Sequence, residues 1–220
     1  MVETADTGTV RVWDPLVRIG HWVLVAAFAA AYLTEGEPQW LHGYAGYAIA
    51  AVVVLRLVWG VVGPRHARFS DFVTGPRRVI GYLRGLATGR AERHLGHSPA
   101  GGAMTVALLV ALAATALSGM ATLAVEDGAG PLAGLVTVQS LPDWAAEAEH
   151  AEHGAFGEGE AEAGEALEEV HEIAANATLA LIALHVAGVI VASLAHRETL
   201  VRAMITGAKR RPRETAPTPD

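Results

Sequence analysis

The chain has 220 residues, 52% of them hydrophobic and only 18% charged, with no cysteine and a formal net charge of −7. So small a charged fraction excludes an ordinary soluble domain, where charged residues run near ~25%, and the negative balance argues against nucleic acid. The lack of cysteine excludes disulfides, thiolate zinc sites, iron–sulfur clusters and covalently attached haem.

The first residues, MVETADTGTVRVWDP, are polar. No basic stretch precedes a short apolar core, so the first apolar run is expected to stay as a membrane anchor rather than act as a cleaved signal. A transmembrane helix needs roughly 20 apolar residues. Four runs reach that length, at about 16–33, 42–62, 100–125 and 172–195. Arg18, His21 and Arg56 interrupt the first two, whereas the third carries no charge. The linker 63–99 holds seven arginines and two acids, and six Lys or Arg follow residue 195. The loops 34–41 and 126–170 hold no basic residue and, with their edges, carry 15 of the 23 acids. Basic residues near helix ends stay in the cytoplasm. The expected fold is therefore an all-α integral membrane protein, a four-transmembrane-helix bundle with both termini cytoplasmic. The membrane domain spans 1–210, with an acidic periplasmic loop at 126–170 and a flexible cytoplasmic tail at 211–220. Within the loop, WAAEAEHAEHGAFGEGEAEAG is of low complexity and is expected to lack fixed structure in its first part. Its end, AGEALEEVHE, has good helix formers and is expected to extend the fourth helix outward.

Ten histidines occur, and position sorts them. His66, His94, His97 and His196 fall in the linker or just past the fourth run, and read as solvated or interfacial. His150 and His153 make an H-x-x-H pair, a spacing that binds a metal on a helix, here inside the low-complexity loop. The remaining four lie in the apolar runs, where a histidine is costly and marks a functional candidate. With a rise of about 1.5 Å per residue, His185 lies ~21 Å deeper than His171. Fourteen residues are just under four turns, so both occupy one face. By depth His42 matches His171 near the outer side, and His21 matches His185 near the inner side. Each pair joins two helices at one level, as the six-coordinate iron of a non-covalently held haem requires. A single such histidine reads equally as an interhelical hydrogen-bonding group or a proton relay; four sorting into two levels favour two haem b groups. Gly20, Gly43, Gly46 and Gly188 stand near these histidines and would give a flat porphyrin room. Arg56, fourteen residues after His42, lies at the inner level. Apart from Glu172 at the outer edge of the fourth, no acid occurs within a membrane run, so a haem propionate is its natural counter-ion; Arg18 is a second candidate for that role. Trp22, Trp40, Tyr44, Tyr47 and Trp59 read as interfacial anchors or pocket walls.

The ordered stretches VRVWDPLVRIGHW, LHGYAGY, VLRLVWGVVGPRHARFSDFV, LGHSPAGG, VHEIAANATLALIALHVAGV and HRETLVRAMITGAKR resemble the bacterial cytochrome b561 family, which includes the cytochrome b subunits of nickel–iron hydrogenases. The resemblance implies four transmembrane helices in the inner membrane and two b-type haems. It implies ligands on helices one, two and four, at the positions of His21, His42, His171 and His185. It further implies electron exchange between the quinone pool and a periplasmic redox partner, such as a c-type cytochrome or a hydrogenase. Within the family the alternative is a stand-alone superoxide-to-quinone oxidase, against which the acidic outer loops argue, since they repel an anion. Outside it, the alternative is a transporter or channel using membrane histidines.

Overall fold

The computed structural model describes residues 8–34, 37–136 and 158–210. The candidate pair His150 and His153, much of the acidic loop and the tail from residue 211 lie outside them.

In chain order the elements are strand β1 (Thr9–Arg11), helices α1 (Pro15–Thr34) and α2 (Gln39–Val62), a 3-10 turn at Arg65–Ala67, and helices α3 (Phe69–Phe72), α4 (Pro76–Ala87), α5 (Pro99–Glu126), α6 (Glu158–His196) and α7 (Leu200–Thr206). Strand β2 (Ala208–Arg210) follows. Two of the long helices start alike. Asp14 precedes Pro15, and its Oδ1 accepts from the amides of Leu16 at 2.9 Å and Val17 at 3.1 Å. Ser98 precedes Pro99, and its Oγ accepts from the Gly101 amide at 3.1 Å. In both, a short polar side chain satisfies amides that lack helical partners, and proline sits where no amide is needed. Helix α2 stops at Gly63-Pro64, and α7 ends on Gly207, whose φ of 81° is a left-handed cap.

Among the described residues four helices are long and apolar enough to cross a membrane: α1, α2, α5 and Ala163–His196 of α6. The chain is a mostly helical, multi-pass membrane protein with all four expected spans. As expected from AGEALEEVHE, the end of the acidic loop extends the fourth helix: α6 begins at Glu158, five residues before that stretch. One feature departs from the sequence reading, a small antiparallel sheet in which Thr9 pairs with Arg210, Val10 with Lys209 and Arg11 with Ala208.

Contacts group the chain into two compact units. One holds residues 22–57 and 104–186. Phe28, Ala45, Ile49, Val53, Leu109 and Leu112 are buried in it. Among the described residues Thr178 is fully buried although polar, and its hydroxyl lies 3.0 Å from that of Thr115. Each of these hydroxyls also meets a carbonyl one turn back in its own helix, so no polar atom is stranded. The Tyr32 hydroxyl reaches Asn176 Oδ1 at 3.2 Å.

The other unit holds residues 1–21, 58–103 and 187–220 as far as they are described. Val12, Trp13 and Ala203 form its buried cluster, with Val17 and Met204 against it. The amides of Val12 and Trp13 both donate to the Gly207 carbonyl, at 2.8 and 3.1 Å. Trp59 Nε1 donates to Asp14 Oδ2 at 3.3 Å. A Cβ at Gly60 would collide with the Phe69 ring, so α2 needs glycine where α3 crosses it. Arg93 holds Glu198 with two hydrogen bonds, Nη2 to Oε1 at 2.8 Å and Nε to Oε2 at 3.3 Å.

Candidate functional site

The unit of residues 22–57 and 104–186 brings together His42 and His171. Because α2 begins at Gln39, His42 stands on its first turn; because α6 begins at Glu158, His171 stands well inside a continuous helix. Their rings lie 6.0 Å apart between centroids, with planes at 75°.

What each imidazole does with its other nitrogen decides what it can bind. His42 Nδ1 is 3.0 Å from the Ala31 carbonyl of α1. His171 Nδ1 is 2.9 Å from the Thr115 carbonyl of α5 and 3.1 Å from Ser118 Oγ. A carbonyl only accepts, so both Nδ1 atoms carry hydrogen and donate. Ser118 itself donates to the Thr115 carbonyl at 3.0 Å, which leaves its oxygen lone pairs for His171. Both rings therefore present an Nε2 lone pair, the state a metal-ligating histidine needs, fixed by the outer contact that usually accompanies it.

The donor set fits a haem iron: two neutral imidazoles from different helices, brought together at one place. A flat macrocycle also needs bare helix surface, and a Cβ at Gly43 or Gly46 would meet no atom within 4 Å. Gly119 has the opposite setting. A Cβ there would stand 2.7 Å from His171 Cε1, so the ring lies directly on the α5 backbone. Thr115, Ser118 and Gly119 thus form a socket for His171 on a helix that has no histidine of its own.

The other predicted residues are placed as follows. His21 and His185 are both half-buried, and Gly188, one turn after His185, would give a Cβ no neighbour within 4 Å. His171 and His185 share one uninterrupted helix, as do His42 and Arg56, so the fourteen-residue spacing keeps each pair on one face. Arg56 is buried, with 8% of its surface exposed. Arg18 donates to the Ile205 carbonyl at the end of α7. Its guanidinium has further donors, so this bond and an anion contact are compatible.

Sequence reasoning passed over the socket because α5 lacks a ligand-type side chain. The available signal was Ser118-Gly119, a small polar pair in the middle of a charge-free helix. The four histidines read as solvated are also engaged. His66 meets Asp71 at 3.2 Å, His196 meets the Tyr82 hydroxyl at 3.2 Å, and His94 packs edge-on to Tyr82. His97 lies against Trp13 and Phe72, with centroids at 4.6 and 4.1 Å. Folding of the linker onto the chain ends explains the difference, since periodicity in a short linker does not reveal it.

No curated protein and no solved structure matches the chain. A family model described as prokaryotic cytochrome b561 matches residues 12–207, from just after β1 to the cap of α7. With that match spanning all four membrane helices and the facing histidines, the chain belongs to the prokaryotic cytochrome b561 family.

Proposed function

We propose that this protein is a di-haem b-type cytochrome that carries electrons between a periplasmic redox partner and the membrane quinone pool. Family membership gives the coarse part of that statement, membrane electron transfer by haem b. The observation that carries the finer part is the facing pair His42 and His171, each with Nδ1 tied to a main-chain carbonyl.

When bound, haem supplies reversible one-electron chemistry at its iron. The chain's own residues hold and tune the group. His42 and His171 are the ligands of an outer haem, and their carbonyl contacts keep both rings in the liganding tautomer. His21 and His185 are the ligands of an inner haem, supported by depth and by the helical spacing from His171. Gly46 leaves space for the macrocycle, and buried Arg56, with Arg18, offers positive charge for propionates. The apolar helices around the site exclude water and so help set the potentials. Helix α6 carries one ligand of each pair, which sets the separation an electron crosses.

The arginine-rich linker and C-terminal segment support both termini on the cytoplasmic side of the inner membrane. The acids then face the periplasm, where a negative surface attracts a cationic donor or acceptor such as a basic c-type cytochrome. By family analogy alone, quinone is assigned to the side of the inner haem. The deciding experiment is a pyridine-haemochrome assay on the purified protein. Two haem b per chain is the expected count; one would dissolve the second pair, and a colourless protein would end the reading.

A further inference from the structure

Helix α4 lies in the arginine-rich segment between the second and third membrane helices. Its inner face is Val79, Tyr82 and Leu86, at helical spacing. Tyr82 is buried and holds His196 through its hydroxyl. At about 100° per residue, a second apolar strip runs alongside, made of Pro76, Ile80, Leu83 and Ala87. That strip is uncovered: Ile80 is 50% and Leu83 49% exposed, and Val73 just before the helix is 52% exposed. Arg77 and Arg84 border the strip on its far side, and both are exposed. Among the described residues the ion pairs use Arg65, His66 and Arg93, so no acid neutralises either arginine.

An apolar strip edged by arginine is what a helix shows when it rests at a bilayer surface. The tethers of α4 favour that partner. It is joined through residues 63–75, which hold the 3-10 turn and α3, to the end of α2 at Val62, and through residues 88–98 to the start of α5 at Pro99, both termini of membrane-crossing helices. We propose that α4 lies in the headgroup layer, with Ile80 and Leu83 at the acyl boundary and Arg77 and Arg84 on the phosphates of anionic phospholipid. This surface does not depend on haem.

The absence of native cysteine makes the test direct. Single variants Ile80→Cys, Leu83→Cys and Arg78→Cys in the full-length holoprotein are spin-labelled. Each is reconstituted in phosphatidylcholine vesicles with and without phosphatidylglycerol. Labels at 80 and 83 are expected to be relaxed by oxygen and shielded from a water-soluble nickel reagent, and the label at 78 to show the reverse. Separately, the preference of the protein for spin-labelled phosphatidylglycerol over phosphatidylcholine is expected to fall about five-fold for each of Arg77→Gln and Arg84→Gln. Equal water access at 78, 80 and 83 would overturn the proposal. So would protection at 80 and 83 from both oxygen and nickel, which marks a protein partner or second copy on the strip. An unchanged lipid preference in the double glutamine variant would overturn the anionic part.

Discussion

In the unit of residues 22–57 and 104–186, His42 and His171 give Nδ1 to main-chain carbonyls and face one another across 6.0 Å. In the other unit His97 lies on the rings of Trp13 and Phe72, His196 meets Tyr82 and His66 meets Asp71. The same side chain serves as an orientated base in one unit and as a ring-packing or side-chain hydrogen-bonding group in the other. What separates the two uses is the fate of the second ring nitrogen and the presence of another imidazole opposite. Burial does not separate them, since His97 and His171 are both half-buried.

The largest test of that contrast removes one ring of each kind. His171→Ala or His42→Ala should lower the haem count from two to one. His97→Ala should keep two and lose stability instead, by roughly 1–3 kcal/mol for the lost aromatic packing. Haemochrome assays with thermal melts in detergent read both, and equal haem counts in the three variants would erase the distinction. Next is Gly119→Ala, whose methyl would press on the His171 ring. Overpacking of this kind costs roughly 1–3 kcal/mol, and one haem should be released at lower temperature than in the parent protein.

The Arg93–Glu198 pair sharpens the comparison from the other side. Burial opposes ionisation of Glu198, but the Arg93 hydrogen bonds and the charge of Lys209 hold its carboxyl below the usual carboxylate range. A carboxyl depressed on folding stabilises the protein above its unfolded pKa of about 4.3, and that contribution is lost as pH falls through the depressed folded value. Glu198→Gln should therefore melt earlier near neutrality, by about 1–3 kcal/mol for a part-buried charged hydrogen bond, and lose less on acidification. Both haems should remain. The smallest effect expected is that of Ser118→Ala. It removes one of two acceptors for the His171 Nδ1–H, which, with His171 as the proposed ligand, makes the imidazole a weaker donor to iron. The midpoint potential of one haem should rise by about 20–40 mV in a redox titration, the equivalent of part of one hydrogen bond.

The membrane helices were legible because hydropathy over twenty residues is a signal that packing does not need to complete. The pairing of His42 with His171 was legible because helical rise turns sequence position into depth. Three things were hidden. The α5 socket depends on a carbonyl and a missing Cβ, and neither is a side-chain letter. The arginines of α4 read as a topology signal and concealed an amphipathic helix too short to stand out. The strands Thr9–Arg11 and Ala208–Arg210 are three residues each, and only their pairing makes them strands.

That pairing has a consequence for how the protein is made. Strand β1 is synthesised first, and β2 emerges only after the rest of the described chain. The contacts of Val12, Trp13 and Arg18 with Gly207 and Ile205 therefore cannot form during insertion of the first helices. Until translation reaches the last strand, Trp13 lacks its cover and α1 lacks its tie. Closure of that end therefore follows synthesis of all four membrane helices, and a ribosome-stalled chain ending before Leu200 should leave Trp13 open to protease and solvent.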